Sequence, residues 1–296
     1  MREDTTLRVA LEKPAVVPAV AYRRMQKLLS TFRIASILGA TVVSAVPFLW
    51  LVVTGFKYRT DIMSPVPRLF FTPTLSNFHE AFIEGAFLRY LWNSLVVALG
   101  TVALCLVTGV PAAYAFSRFR VFGAKHLFFF ILTTRMAPGV AFALPLYILF
   151  DKLRLLGSIP GVVLAHTTFN LALVIYLMKA LFDEVPREID HAALVDGYSE
   201  WETFTRVIVP VAKPAIAATA LLAFIFSWNE FLFALILGGE AGRTLPAAFP
   251  GLVTALGTYW GQLAAASAVV SIPVIVLATL VQGYLVRGLT LGAVKG

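Results

Sequence analysis

The sequence predicts an all-α protein that crosses a membrane several times. Of its 296 residues, 59% are hydrophobic and only 14% are charged, against about 25% charged in an ordinary soluble domain. The mean hydropathy is +0.84. So little charge cannot cover the surface of a soluble globule, and so much hydrophobicity excludes a disordered chain. The net charge of +8 fits basic loops beside a membrane better than it fits nucleic-acid binding.

Six apolar stretches are long enough to be spans, because a helix needs about 20 apolar residues to cross the hydrocarbon core. The first five cover residues 34–56, 90–117, 127–150, 155–178 and 214–239. The uncharged run over residues 244–286 is too long for one helix. We assign its last part, residues 269–286, to the sixth span. The part before it holds Pro246, Pro250 and Gly251, and we expect a loop or a re-entrant segment there.

The distribution of Lys and Arg predicts the orientation of the spans. Most of these cations lie in residues 1–33, in the loops after the second and fourth spans, and in the tail. Both termini are therefore expected in the cytoplasm, and residues 239–262 form an outer loop on the opposite side. We treat residues 1–33 as a cytoplasmic segment and residues 34–296 as one six-helix domain.

No motif for bond chemistry is present in the sequence. It contains no GxxxxGK[ST] phosphate loop, no HExxH zinc motif and no GxSxG nucleophile elbow. Glu230 is the only acidic residue within a predicted span, so an intramembrane pair of carboxylates has no second member. We therefore expect no catalytic residue, no metal site and no cofactor bound by this chain. A stand-alone carrier or an intramembrane enzyme remains the alternative.

The loop between the fourth and fifth spans is predicted to form two short helices joined by a turn. Pro186 suits the first turn of a helix. Asp196 and Gly197 end that helix, because Gly197 suits a left-handed position just past the last turn. Ser199 and Glu202 then form a capping box that starts the second helix. Residues 186–210 are therefore expected to be an ordered loop.

Small and apolar residues in this loop suggest contact with a partner. Ala192 and Ala193 permit close approach by another protein, and Phe204 belongs to the apolar face of the second helix. Pro210 and Pro214 are expected to interrupt the chain before the fifth span. An amphipathic loop that lies on the membrane surface is an equal alternative from the pattern alone.

This loop resembles the EAA loop of ABC-importer permease subunits. The pattern is approximately EAA, three residues, Gly, and then a hydrophobic segment that ends in Pro. The matching residues are Ala192, Ala193, Asp196, Gly197, Phe204, Ile208, Pro210 and Pro214. His191 occupies the position of the glutamate, and a histidine lacks a permanent negative charge at neutral pH. Asp190 and Glu188 are the neighbouring carboxylates and the candidates to substitute for it. The resemblance implies that Asp190, His191 and the matching residues couple the chain to an ATPase.

Three further segments, residues 74–78, 227–231 and 288–296, resemble sugar-importer permeases of the maltose type. Residues 136–139 and 226–229 resemble the polyol and monosaccharide branch. The resemblance implies a type I ABC-importer permease fold in the plasma membrane of a bacterium or archaeon, surrounded by membrane lipid. It also implies a second homologous permease, two ATPase subunits that bind ATP and Mg, and an extracytoplasmic substrate-binding protein. Nucleic acid is not an expected partner.

The resemblance also implies roles for the outer loop and for the tail. In permeases of this kind the outer loop reaches the binding protein, so Gly251, Thr254 and Tyr259 are expected near that partner. A re-entrant hairpin that only packs against the bundle is the alternative. The tail, residues 288–296, is expected to be a flexible strip that enters the interface of the two ATPases, with Gly292 and Lys295 among its contacts.

Polar residues within the predicted spans are candidates for the translocation path or for gating. They are Arg135, Asn170, Trp228, Asn229 and Glu230. Burying a charge at mid-bilayer costs at least about 2.5 to 3.5 kcal/mol, so Arg135 and Glu230 should each face a partner or water. We expect a structural or gating role for these two charges, and an ion pair between them is one possibility. Hydrogen bonds between helices are the default explanation for His166, Asn170 and Asn229, the uncharged polar residues in the middle of predicted spans.

Overall fold

The computed structural model describes residues 19–255 and 257–293, and it describes side chains within residues 25–255 and 257–283. The helices of this part of the chain are α1 (Ala19–Gly55), α2 (Arg59–Ile62), α3 (Ser76–His79), α4 (Phe87–Arg118), α5 (Ala124–Met136), α6 (Gly139–Lys152), α7 (Ile159–Glu184), α8 (Arg187–Val195), α9 (Glu200–Glu202), α10 (Val209–Trp228), α11 (Leu232–Leu237), α12 (Leu245–Ala248) and α13 (Trp260–Ala293). Glu80–Glu84 and Thr203–Ile208 are π-helical, Phe249–Leu252 is a 3₁₀ helix, and β1 (Val253–Thr254) pairs antiparallel with β2 (Gly257–Thr258).

Two compact units divide the chain, Met1–Trp50 and Leu51–Gly296. The first unit contains most of α1, whose side chains from residue 25 onward are largely exposed. This helix begins at Ala19, well before the predicted span at Ile34. The prediction was set by hydropathy, whereas the basic segment before Ile34 contains no helix breaker after Pro18 and continues the helix.

Five helices of the described residues are long and apolar enough to cross a membrane. The broken pair α5 and α6 forms a sixth candidate, and its two halves meet at 100°. The prediction of one continuous helix over residues 127–150 was therefore wrong. Pro138 causes the break, because proline has no N–H to donate and disfavours a helical conformation of the residue before it.

The fifth span also differs from the prediction. Pro210 and Pro214 do not interrupt the chain, because α10 runs through both to Trp228. Pro210 lies in the first turn of α10, where a missing N–H costs little. The interruption comes later, at residues 229–231, and α11 follows it. Residues 214–239 are thus two helices with a break between them.

The last span begins earlier than predicted, because α13 starts at Trp260. The segment before it, expected to be a loop or a re-entrant segment, contains α12, the 3₁₀ helix and the β1–β2 hairpin. Prolines begin both short helices: Pro246 lies in the first turn of α12, and Pro250 in that of the 3₁₀ helix.

Within the second unit α4 packs along α7, and α10 packs against α4, α7 and α13. Gly109 permits the close approach of α4 to α7, since a Cβ atom there would lie 2.9 Å from Cγ1 of Val174. We call the end of this bundle that carries α8 and α9 the α8 end, and the end that carries the β1–β2 hairpin, α2 and α3 the hairpin end. Buried clusters stabilise the two ends separately. They include Tyr114, Met178, Phe182, Phe204 and Ile208 at the α8 end, and Phe87, Tyr90, Leu245 and Leu252 at the hairpin end.

Candidate functional site

The turn after α8 has the backbone conformation that the sequence predicts. Gly197 has a φ of +91°, a region that residues with a side chain rarely adopt. Its N–H donates to the carbonyl of Leu194 at 3.1 Å, and the N–H of Tyr198 donates to the carbonyl of Ala193 at 3.1 Å. A Cβ atom at position 197 would point into open space. Glycine is therefore required here by backbone conformation and not by lack of room.

The second short helix begins with the predicted capping box. The N–H of Glu202 donates to Oγ of Ser199 at 3.3 Å, and the N–H of Ser199 donates to Oε2 of Glu202 at 3.1 Å. The helix continues as the π-helical segment Thr203–Ile208 and then as α10. The loop therefore continues without a break into a helix long enough to span a membrane.

Asp190 faces the interior of the bundle and not a partner. Its Oδ1 accepts a hydrogen bond from the Tyr114 hydroxyl at 2.6 Å, and its Oδ2 lies 3.1 Å from Nε of Arg118. Because this carboxylate is committed within the chain, it cannot replace the missing glutamate of the loop. Glu188 is exposed on the same helix and has no ionic partner among the described residues, whereas His191 is exposed at the glutamate position itself.

Arg118 joins three helix ends. Besides the Asp190 carboxylate, its guanidinium donates to the carbonyls of Phe182 and Val185, each at 2.9 Å. Arg187, at the start of α8, donates from its guanidinium to the carbonyl of Ser117, near the end of α4, at 2.9 Å. The end of α4, the end of α7 and α8 are therefore held together by charge-assisted hydrogen bonds, which are stronger than neutral ones.

Phe204 anchors the second short helix to the same place. Its ring is buried, and it lies 4.9 Å from the Tyr114 ring and 5.5 Å from the Trp201 ring. Ala193 is also buried, so only Ala192 of the alanine pair faces outward. Pro210 is exposed in the first turn of α10.

The outward side of this loop carries an exposed patch of mixed polarity, which we call the α8 patch. It consists of His191, Ala192, Leu194, Val195 and Trp201. Val195 is 87% exposed and Trp201 is 65% exposed. Exposed apolar side chains of this kind are typical of a surface that contacts another protein or a membrane.

A polar cluster surrounds the break between α10 and α11. His166 is 1% exposed, its Nδ1 lies 2.8 Å from Oγ of Ser227, and its Nε2 lies 2.9 Å from Oε2 of Glu230. The contact with Glu230 is at ion-pair distance but is not directed as a hydrogen bond. Glu230 also accepts from the N–H groups of Phe233 and Ala234, so it caps α11. His166 is thus the residue that faces the Glu230 carboxylate, and the possible ion pair of Glu230 with Arg135 is not among the contacts of the described residues.

Arg135 and Asn170 border this cluster. The Arg135 guanidinium donates to the carbonyl of Phe169 at 3.2 Å and lies 4.3 Å from the centroid of the Phe226 ring. Asn170 donates to the carbonyl of His166 at 3.0 Å, and its buried Oδ1 has no hydrogen-bond partner among the described residues. The bond within α7 replaces the expected bond between helices for this amide. The contact of His166 with Ser227 joins α7 to α10, as expected for His166, whereas the sequence gave no reason to select Ser227.

Trp228 and Asn229 lie next to each other at the end of α10, but one side chain is buried and the other is exposed. Trp228 is 2% exposed, stacks on Phe224 and donates from Nε1 to the carbonyl of Val270 at 3.0 Å. It therefore ties α10 to α13 and is not available to stack on a solute in this conformation. Asn229 is exposed beside the break, and its amide donates back to the carbonyl of Ile225 at 2.8 Å.

At the hairpin end the three outer-loop candidates lie within one short exposed segment. Gly251 is in the 3₁₀ helix, Thr254 donates from Oγ1 to the carbonyl of Gly257 at 2.9 Å, and the N–H of Tyr259 donates to the carbonyl of Leu252 at 3.0 Å. Leu252 is buried, so the base of the segment is anchored while its hairpin projects.

The loop before α12 is clamped onto α4, which the sequence analysis did not predict. The Asn93 amide donates to the carbonyls of Ala241 and Arg243, each at 2.9 Å. The Tyr90 hydroxyl donates to Oε1 of Glu240 at 2.7 Å. This bond, together with the nearby Arg243 guanidinium, holds the pKa of Glu240 below its ordinary value.

The tail differs from the expected flexible strip. The α13 helix continues to Ala293 and includes Gly292, so residues 288–293 are helical and not extended. Lys295 lies outside the described residues. A helix advances only about 1.5 Å per residue, so this segment reaches about half as far as an extended chain.

Comparison with known proteins agrees with this architecture. A probable ABC transporter permease protein of Sinorhizobium fredii is 40% identical over 249 residues, which cover 84% of this chain and 90% of that protein. The trehalose/maltose transport system permease protein of Thermococcus litoralis is 32% identical over 274 residues, which cover 89% of this chain and 97% of that protein. A solved structure of a bacterial ABC transporter involved in alginate import shares the fold, with a TM-score of 0.70 and 22% identity over 88% of this chain and 98% of that chain.

The family described as the binding-protein-dependent transport system inner membrane component matches residues 105–291. The matched residues include the α8 loop, the polar cluster and the hairpin. Members of this family are transport subunits, which excludes the alternative of an intramembrane enzyme. The chain therefore belongs to the inner-membrane permease components of binding-protein-dependent ABC importers, and it is a multi-pass membrane protein.

Proposed function

We propose that the chain is one of two homologous permease subunits in an importer of a sugar or polyol. The support for a carbohydrate is the trehalose/maltose permease among its relatives. The excess of Lys and Arg at the α8 end and in the N-terminal segment supports a cytoplasmic position for both termini. The bundle then lies in the lipid of a bacterial or archaeal plasma membrane. Its α8 end faces the cytoplasm, and its hairpin end faces the outside.

Two ATPase subunits dock on the cytoplasmic side of the complex in this proposal, one of them on the α8 patch of this chain, and they alone bind ATP and Mg. The observation that carries the proposal is the buried ion pair between Asp190, on the inner face of α8, and Arg118, at the end of α4. A push on α8 is transmitted through Arg118 to α4 and α7, and through Phe204 to α10. Closure of the ATPases thereby reorients the spanning helices, so that the translocation path opens alternately to the two sides of the membrane.

The proposed gate is the break between α10 and α11. Non-helical backbone at membrane depth is tolerated only where it is buried in protein or lines a water-filled cavity. Here the break carries Asn229 and Glu230, with Arg135 and Asn170 nearby, so polar groups are available where a hydroxylated solute passes. Trp228 contributes by packing, since it fixes α10 against α13.

The binding protein delivers the solute at the hairpin end. Gly251, Thr254 and Tyr259 contact the binding protein there. Charge is sparse on this segment, so shape and hydrogen bonding dominate the proposed contact. At the opposite end Gly292 and Lys295 of the tail lie at the interface of the two ATPases, with the tail entering as a continuation of α13.

Reconstitution in liposomes tests the function. The chain is combined with its companion permease, the ATPase and the binding protein, and uptake of labelled trehalose, maltose and mannitol is measured. We expect uptake of at least one of the three that requires both ATP and the binding protein. Uptake by this chain alone would establish a stand-alone carrier. Uptake of none of the three by an intact, ATP-hydrolysing complex would contradict the carbohydrate assignment.

A further inference from the structure

A pocket of about 320 Å³ opens at the hairpin end, apart from the polar cluster and the α8 patch. One wall comes from α2, from α3 and from the residues that flank them, and it includes Tyr58, Arg59 and Glu80. The other comes from β2 and the start of α13 and includes Tyr259, Trp260 and Gln262. Its volume lies at the lower end of the range for small-molecule sites, about 300 to 1,000 Å³, which suits a single sugar ring.

The two walls are held in place by contacts that do not involve a solute. Asn77 is buried and donates to the carbonyls of Gly55 and Lys57, at 2.9 and 2.8 Å. A Cβ atom at Gly261 would collide with the Asn77 side chain, so glycine lets the first turn of α13 approach α3 this closely. Gln262 donates to Oε2 of Glu80 at 2.8 Å, and this bond joins the two walls of the pocket. The pocket is therefore preformed.

The lining indicates the chemistry of its occupant. Tyr58, Tyr259 and Trp260 are 47%, 40% and 51% exposed, so each presents part of an aromatic ring to solvent. Arg59 and Glu80 supply hydrogen-bond donors and acceptors beside these rings, and their opposite charges cancel. Aromatic faces flanked by donors and acceptors, without net charge, fit a neutral ring that carries hydroxyl groups on its edge and C–H groups on its face.

We propose that this pocket is a weak subsite for a neutral pyranose ring, which holds the sugar between its release at the hairpin end and its entry into the bundle. The ring stacks on Trp260 or Tyr259, and its hydroxyls bond to Arg59 and Glu80. The position supports this role, because Tyr259 continues directly from the hairpin strand β2 into the pocket wall. The inference rests on the proposed carbohydrate function and adds a site to it.

The direct test is sugar binding to the purified complex of both permeases and the ATPases, without the binding protein. Tryptophan fluorescence is titrated with D-glucose, maltose and trehalose. We expect a saturable change with a Kd in the millimolar range for at least one sugar, lost in Trp260→Phe and kept in Trp92→Phe. Trp92 is the matched control, because it is 65% exposed but lies on α4 outside the pocket. Tyr259→Ala should raise the Kd at least tenfold in a complex that still purifies intact.

The inference fails if none of the three sugars gives a saturable change, or if Trp260→Phe leaves the change intact. It also fails if pocket variants weaken only the capture of the binding protein, which would make the pocket a protein contact. Uptake in liposomes separates this failure from failure of the proposed function. Uptake without pocket binding contradicts the subsite alone, whereas pocket binding in a complex that imports no carbohydrate contradicts the function.

Discussion

The Arg118 guanidinium and the Asp190 carboxylate form an ion pair at the junction of α4 and α8, with Nε 3.1 Å from Oδ2. Their side chains are only 7% and 10% exposed. Two charges this far from water are stable only if each is well paired, and the Tyr114 hydroxyl completes the coordination of the carboxylate. The loop at the α8 end is therefore attached to the bundle by a buried ion pair.

Removing one charge of this pair should detach α8 from the bundle. Asp190→Ala leaves the Arg118 charge buried without its partner, which costs about 3 to 5 kcal/mol. We expect a lower thermal unfolding midpoint for the purified complex and loss of the co-purifying ATPase. Arg206→Ala is the matched control, because it removes an exposed pair with Glu202 that is worth at most about 1 kcal/mol. Equal effects of the two variants would contradict the role of the buried pair.

Replacing Gly197 should strain the turn without creating a clash. Gly197→Ala forces a side chain into a positive φ at a cost of about 1 to 2 kcal/mol, and Gly197→Asp adds a charge beside the ATPase contact. Uptake should fall moderately in the first variant and be lost in the second, with membrane insertion unchanged. Gly39→Ala is the control, because Gly39 is helical and a Cβ there also meets nothing. Normal uptake by Gly197→Asp would exclude the turn from coupling.

Glu230 and His166 should act as one unit. Glu230→Gln removes the charge that faces His166 and weakens the cap on α11, so we expect at least a tenfold loss of uptake in an assembled complex. His166→Gln should cause a similar loss, and the double variant should lose little more, because residues in one network are not additive. Glu84→Gln, in an exposed pair with His79, should leave uptake unchanged. Additive losses would show that the two residues act independently.

The hairpin should be captured by the binding protein. A photoreactive residue at position 254 projects from an exposed strand whose base is anchored by Leu252. We expect crosslinks to the binding protein when ATP is trapped in the complex, and fewer crosslinks from the same probe at Trp92, on the side of α4. Crosslinks confined to the permease would contradict contact through the hairpin.

Features encoded by adjacent residues could be predicted from the sequence. The glycine turn at Gly197 and the capping box of Ser199 and Glu202 are each specified within a few positions, and the structure has both. The number of candidate spans also followed from hydropathy. Helix breaks did not, because hydropathy does not distinguish an uninterrupted helix from two helices that meet at Pro138 or at Glu230.

Contacts between residues far apart in the sequence could not be predicted, because no pattern of neighbouring residues indicates which distant partner each residue contacts. Arg118 and Asp190 are 72 residues apart in the sequence, and the residues around each are equally compatible with a solvated charge on a loop. Glu230 was expected to need a partner, but the choice of His166 over Arg135 depends on how α7 packs against α10. The pocket at the hairpin end likewise arises only when α3 and α13 meet through Asn77 and Gly261.

Crosslinking from Val195 tests most directly the claim that α8 couples this chain to an ATPase. Val195 is 87% exposed, and Cys105, the single native cysteine, is buried. In the complete complex, Val195→Cys treated with a short thiol-reactive photocrosslinker should capture the ATPase subunit, and the yield should change when ATP is trapped. Capture of lipid alone, in a complex that still imports its solute, would contradict the account.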